Sequence, residues 1–226
     1  MTKKQKQEPG PKRQASVWPL TESRPNLIMG LGNPGKKYEN TYHNVGRIFL
    51  DFLKEKIGKN WEPAPGKKFE YVKTGTVFLV ITSSFMNESG ESISSALNFF
   101  SLQPKDLLIA HDDSDLIIGH YKLSKDKNSA GHKGVQSIID TLKTSAKGAC
   151  LSGRQGSASG GKNFWRLRIG IRPEKEKIRS KTGLPDIARR AKAGEFVLKK
   201  IKDEDLEKLY SVFNEVIEKL IVKVVP

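Results

Sequence analysis

The hydrophobic residues of the chain fall into two kinds of run. Short unbroken ones, Leu27-Ile28-Met29 and Leu107-Leu108-Ile109-Ala110, have the length of buried strands. Longer ones repeat at i, i+3 and i+4 and predict amphipathic helices. The first such helix buries Val45, Ile48, Phe49, Phe52, Leu53 and Ile57 and closes at Gly58. The next, from about Glu88 to Phe100, buries Ile93, Ala96, Leu97 and Phe100, and a third buries Val135, Ile138, Ile139 and Leu142. A last one buries Leu206, Leu209, Tyr210, Phe213, Ile217 and Leu220 behind the acidic first turn Asp203-Glu204-Asp205, which suits the positive end of a helix dipole. Residues 68–73 and 76–82 flank Gly75 and read as a hairpin, while 119–124 and 164–172 read as further strands. The order up to that point is β-α-β-β-α-β-β-α-β. It predicts an α/β fold, a single domain over 26–226 with a mixed central sheet and helices on both faces.

Glycine and charge add to that outline. Gly30, Gly32 and Gly35 fit G-x-G-x-x-G after the first strand, the dinucleotide-binding spacing. Pro34 and the polar run to Asn44 nevertheless postpone the helix that should open at the third glycine, and the nearest acidic residue, Asp51, lies inside a helix. The loop therefore carries polar side chains rather than a pyrophosphate. Forty Lys and Arg against 25 Asp and Glu give +15. Residues 1–25 supply +4 and 145–195 supply +9, so the body is close to neutral and the partner is a polyanion reached through attached basic segments. Residues 1–25 are read as a basic disordered extension, 145–163 as a flexible Gly/Ser-rich insertion and 173–193 as a basic loop. Within the second segment, Phe164-Trp165-Arg166-Leu167-Arg168-Ile169-Gly170-Ile171-Arg172 puts Arg166, Arg168 and Arg172 on one strand face beside aromatic residues that could stack a base. A single cysteine, Cys150, excludes an internal disulfide and a cysteine-based zinc site. No apolar run approaches a membrane span, and a signal-peptide core is missing, which points to the cytoplasm with a lysine-rich mitochondrial presequence as the alternative.

Polar clusters around Asn33, Asn87, Asp112 and His132 fall at or just after element ends, and His43 opens the first helix. In open α/β sheets that edge is where ligands bind. A histidine whose other nitrogen meets a carboxylate can take a proton from water, and Asp112 is the candidate partner for His43. The neutral amides of Asn33 and Asn87 can grip a carbonyl or a developing oxyanion. These parts suit attack of water on an ester or amide. Metal binding by His111, Asp112, Asp113 and Asp115 is disfavoured because four neighbours on one loop cannot converge, and a serine triad lacks its G-x-S-x-G elbow.

Six ordered motifs between Leu27 and Leu198 then carry a resemblance. They are Gly-Leu-Gly-Asn-Pro-Gly-x-x-Tyr, Thr-x-His-Asn-Val-Gly, Phe-Met-Asn-x-Ser-Gly, His-Asp-Asp-x-Asp-Leu, Gly-His-x-Gly and Arg-Leu-Arg-Ile-Gly-Ile. Together they resemble the bacterial-type peptidyl-tRNA hydrolase family, which cleaves the ester joining a peptide to the 3′ end of tRNA. The resemblance implies a monomer that needs neither metal nor cofactor, with His43 as general base, Asp112 stabilising its active form and Asn33 discriminating N-blocked from free aminoacyl ends. It implies that Tyr38, Phe85 and Asn87 contact the substrate's 3′ end, and it makes peptidyl-tRNA, through its acceptor stem and 3′ end, the partner, with ribosome association as a further expectation. The chain departs at Lys133, where the family's motif has asparagine. A lysine there can hold a phosphate or strengthen oxyanion binding but cannot accept a hydrogen bond. The alternative reading is a noncatalytic RNA-binding protein on the same fold.

Overall fold

The computed structural model describes residues 24–125, 127–151, 162–173 and 196–220. The basic extension up to residue 23, residues 152–161 of the insertion and the basic loop beyond residue 173 lie outside the described residues. Among them the strands are β1 (Leu27–Gly30), β2 (Glu62–Pro63), β3 (Phe69–Thr74), β4 (Val77–Thr82), β5 (Leu107–Ile117), β6 (Tyr121–Lys125) and β7 (Trp165–Arg172). The helices are α1 (Val45–Lys56), α2 (Ser89–Phe99), α3 (Lys133–Leu151) and α4 (Asp203–Leu220).

The seven strands form one sheet in the order β2-β3-β4-β1-β5-β7-β6. β1 lies parallel to β4 and β5, and β5 is parallel to β7, whereas the β3/β4 and β6/β7 pairs are antiparallel. This is the mixed sheet expected from crossover helices combined with hairpins. Side chains alternate across it. Ile28, Leu108, Leu167 and Ile169 pack with Phe49, Leu53 and Phe213 on one face, while Leu27, Met29 and Ile109 pack with Ile93, Val135 and Ile138 on the other.

Four local expectations change. β5 does not stop at Ala110 but runs through the polar cluster to Ile117, because β7 pairs with it from Leu108 to Asp113 and supplies backbone partners there. Phe164 and Trp165 are buried in the two cores and offer no face to a base. α3 continues through Leu151, so the first residues of the Gly/Ser-rich stretch are helical. In α4 the buried stripe runs through Leu209, Val212, Phe213 and Val216, and Tyr210 is 38% exposed, stacked on Phe52.

One close approach fixes the relation of α1 to the sheet. A Cβ on Gly46 would stand 2.1 Å from the Ala110 carbonyl oxygen and 2.9 Å from the Leu31 nitrogen. Only glycine lets the first turn of α1 rest on the ends of β1 and β5.

Candidate active site

The turn that delivers the first histidine is tied down from two sides. After β1, the loop through Gly35, whose φ of +94° favours glycine, leads to a 3-10 turn at Tyr42–Asn44. The segment 196–201 is strapped along it: the His43 N–H donates to the Val197 carbonyl at 2.7 Å, Tyr42 N–H to Lys199 at 3.2 Å and Ile201 N–H to Asn40 at 2.7 Å. Tyr42 adds a stacked ring against Phe196 and a 2.5 Å hydrogen bond from its hydroxyl to Asp205. His43 therefore enters the site on a backbone anchored by hydrogen bonds and ring packing.

The His43 ring meets Asp112, as the sequence predicts. Nδ1 lies 2.9 Å from Asp112 Oδ1, which leaves Nε2 to face the cavity. The same carboxylate oxygen receives a second imidazole, His132 Nε2, at 2.8 Å. His132 comes from the turn before α3, and its Nδ1 accepts the Val135 N–H at 3.3 Å. That acceptor role places the His132 proton on Nε2, so it can only donate to Asp112. The Asp112 carboxyl is 4% exposed. Burial pushes it up, but the His132 imidazole, by charge and hydrogen bond, and then His43 outweigh burial and hold it well below the usual carboxylate range. His111 donates from Nδ1 to the Asp112 carbonyl at 2.7 Å. Its burial, with the charges of His132 and Arg166, depresses its basicity and keeps the ring neutral.

Asn33 is set by an equally local device. Its backbone N–H donates to Asn44 Oδ1 at 2.8 Å and its carbonyl accepts from Asn44 Nδ2 at 2.9 Å. Its side-chain oxygen accepts the Met86 N–H at 2.9 Å. With Oδ1 so used, the Nδ2 donor is the end turned to the cavity.

These groups line one open cavity of about 510 Å³. Of the residues singled out from sequence, Asn33, Tyr38, His43, Asn87, Asp112, Lys133, Arg166 and Arg168 all line it. Phe85 stands beside it, 49% exposed, with its ring edge-on to Tyr38 at 6.2 Å. Arg166 and Arg168 share a face of β7, as alternation requires, but differ in company: Arg168 Nε pairs with Asp113 Oδ2 at 2.5 Å. The sequence singles out His132 only as the centre of a polar cluster and passes over Asn44, although both lie inside quoted motifs. Val197 and Leu198 also line the wall.

The rival metal arrangement does not form. His111, Asp112, Asp113 and Asp115 all line the cavity, but Asp113 Oδ2 pairs with Arg168 Nε, Asp113 Oδ1 accepts the Asp115 N–H and His111 Nδ1 is turned to the Asp112 carbonyl. The donor atoms of His43, Asp112 and His132 do lie within 4.8 Å of one another. Both imidazole nitrogens, however, point at a single carboxylate oxygen at hydrogen-bonding distance, not at a common point beside it. The arrangement offers a neutral imidazole nitrogen backed by a buried carboxylate, and an amide donor held by backbone. Those parts suit a water-splitting acyl transfer.

The model of the family described as peptidyl-tRNA hydrolase matches residues 27–147. The chain is 35% identical over 195 residues to a peptidyl-tRNA hydrolase of Mycoplasma mycoides, covering 85% of this chain and 89% of that one. It is 40% identical over 159 residues to that of Lactobacillus johnsonii, covering 67% and 75%. The crystal structure of peptidyl-tRNA hydrolase from Acinetobacter baumannii superposes with a TM-score of 0.66 at 27% identity over 88% of each chain.

Proposed function

As a member of the peptidyl-tRNA hydrolase family, the chain hydrolyses the ester that joins a peptide to tRNA, and we propose that His43 Nε2 is the base that activates the attacking water. The observation that carries this assignment is the 2.9 Å contact between His43 Nδ1 and Asp112, which leaves the other ring nitrogen open to the cavity. Water gives its proton to Nε2 as its oxygen attacks the ester carbonyl. The imidazolium that forms is balanced by the adjacent carboxylate, which His132 holds from its other side. The developing oxyanion takes a hydrogen bond from Asn33 Nδ2. When the tetrahedral intermediate collapses, the C–O bond to the terminal ribose breaks and His43 returns its proton to the leaving hydroxyl. A positioned base contributes about 10² to 10⁴ in rate and one oxyanion donor about 10² to 10³.

Recognition follows from the same geometry. Asn33 and Asn87 are neutral, so they hold the backbone of any peptide while giving no compensating charge to a free α-ammonium. Tyr38 and Phe85 form an aromatic corner for the 3′ end. Lys133, Arg166 and Arg168 serve the phosphates. The chain acts as a cytoplasmic monomer that reaches the acceptor stem and 3′ end of its substrate. Among the described residues no helix is long and apolar enough to cross a membrane.

Hydrolysis of N-acetyl-aminoacyl-tRNA in ¹⁸O-enriched water tests the chemistry. The label is expected in the released carboxylate and not in the tRNA, with no acyl group trapped on the protein by acid quench. A trapped acyl-enzyme, or label in the tRNA, would overturn direct attack by water.

A further inference from the structure

Tyr42 takes no part in the acyl chemistry, yet it stands beside His43 on the 3-10 turn. His43 lines the cavity, whereas Tyr42 does not line it and is buried in the core that α1 and α4 share. Its ring stacks on Phe196 at 4.5 Å, and its hydroxyl donates to Asp205 Oδ2 at 2.5 Å. Asp205 is the third residue of α4, so this hydrogen bond joins the turn that carries His43 to the start of the last helix. Burial, and then the bond to Asp205, pushes the hydroxyl up to about 12, so it remains a donor at neutral pH.

The bond closes a ring of contacts around His43. The turn leads without a break into α1 at Val45. Phe49 of α1 packs on Phe213 of α4 at 5.3 Å, and Phe52 meets the same ring at 5.7 Å. From Phe213 the helix runs back to Asp205, about 12 Å along its axis, and Asp205 returns to Tyr42. The segment 196–201 holds the same turn by backbone hydrogen bonds, but it is not a strand of the sheet, and its Phe196 rests on Tyr42 in turn. A base must stand within hydrogen-bond reach of the water it activates, so a small shift of this turn is felt in the chemistry. Since Tyr42 does not line the cavity, what it contributes passes through its neighbours.

We propose that Tyr42, through its hydrogen bond to Asp205, is a positioning residue for the reaction: it sets the place of His43 against the scissile ester and acts on the cleavage rate, not on substrate affinity. The inference rests on reading His43 as the base.

Single-turnover cleavage of N-acetyl-aminoacyl-tRNA by the full chain, with tRNA affinity measured alongside, tests it. Tyr42→Phe keeps the ring and its stack on Phe196 and removes only the hydroxyl. It is expected to cleave about tenfold more slowly, less than the about 10²-fold that a 1 Å misplacement can cost, with affinity held within about twofold. Asp205→Ala is expected to show the same loss, and the double variant no more than either alone. Asp205→Asn, which restores an acceptor, is expected to recover most of the rate lost in Asp205→Ala. In a His43→Ala background, Tyr42→Phe is expected to change nothing further. Wild-type cleavage by Tyr42→Phe beside a slow His43→Ala would overturn the inference alone. So would a loss expressed in affinity, losses that multiply in the double variant, or a Tyr42→Phe effect that persists without His43. Wild-type cleavage by His43→Ala would overturn the base assignment and the inference with it.

Discussion

Replacing Asp112 by asparagine keeps the volume and one carbonyl acceptor, removes the charge and turns the second oxygen into an amide donor. In the ground state the change is small, because the asparagine carbonyl oxygen still accepts the ring N–H groups that Oδ1 accepts from His43 and His132. As the proposed base, His43 would carry a full positive charge in the transition state, with its Nδ1 2.9 Å from Asp112 Oδ1 in the resting site. At an effective dielectric of about 20 the lost attraction is about 6 kcal/mol, an upper figure. The lower figure is the difference between a charge-assisted and a neutral hydrogen bond, about 1 to 2 kcal/mol. Between these bounds we expect about 3 kcal/mol, or about 10² in kcat. Single-turnover release of a blocked amino acid from tRNA, with saturating enzyme, reads that step alone. A loss below tenfold, or one expressed wholly in KM, would refute the charge-stabilising role of Asp112. Asp112→Ala should be worse than asparagine, since it leaves two buried imidazole donors without an acceptor.

Three further substitutions probe the scaffold. Asn44→Ala removes both hydrogen bonds that hold the Asn33 backbone and should cost about 1 to 3 kcal/mol in urea unfolding, with a fall in kcat because the oxyanion donor tilts; an unchanged kcat would separate Asn44 from the site. Gly46→Ala forces a Cβ against the backbone of Ala110 and Leu31 and should cost about 1 to 3 kcal/mol or more; an unshifted unfolding midpoint would show that α1 does not rest on the strand ends as described. His111 is held neutral in the folded chain but has its ordinary basicity when unfolded. Below about pH 6.5 the unfolded state therefore binds the extra proton, and stability falls as pH drops, by at most about 1.4 kcal/mol per pH unit. His111→Gln should flatten that slope between pH 6.5 and its depressed folded value, and an identical slope in the variant would contradict the assignment.

Much of this site is written locally in the chain. Gly32, Asn33, His43 and Asn44 sit within one loop and the turn that follows it, and the delay of the helix after Gly35 distinguishes that loop from a nucleotide-binding one. What the sequence does not carry is the strand order. β1 and β5 are neighbours only because the chain crosses over between them, and their register, Gly30 opposite Ala110, is what brings His43 to Asp112. Local polarity also misleads at His111-Asp112-Asp113, which looks like a loop until β7 is seen to pair with it. Phe164 and Trp165 mislead in the opposite sense: alternation assigns their neighbours to faces correctly but cannot tell which aromatic residues the helices cover. His132 stays an unassigned cluster residue because its role depends on Val135 taking one nitrogen and Asp112 the other, a pairing across 20 residues and two elements.

We assign the chemistry to His43 and the binding to its neighbours. Single-turnover cleavage of N-acetyl-aminoacyl-tRNA by wild type and His43→Ala, with tRNA affinity measured alongside, addresses it most directly. The expected result is a loss of about 10² to 10⁴ in the cleavage rate with affinity held within a few fold. Cleavage at the wild-type rate, or a loss matched by an equal loss of affinity, would contradict it.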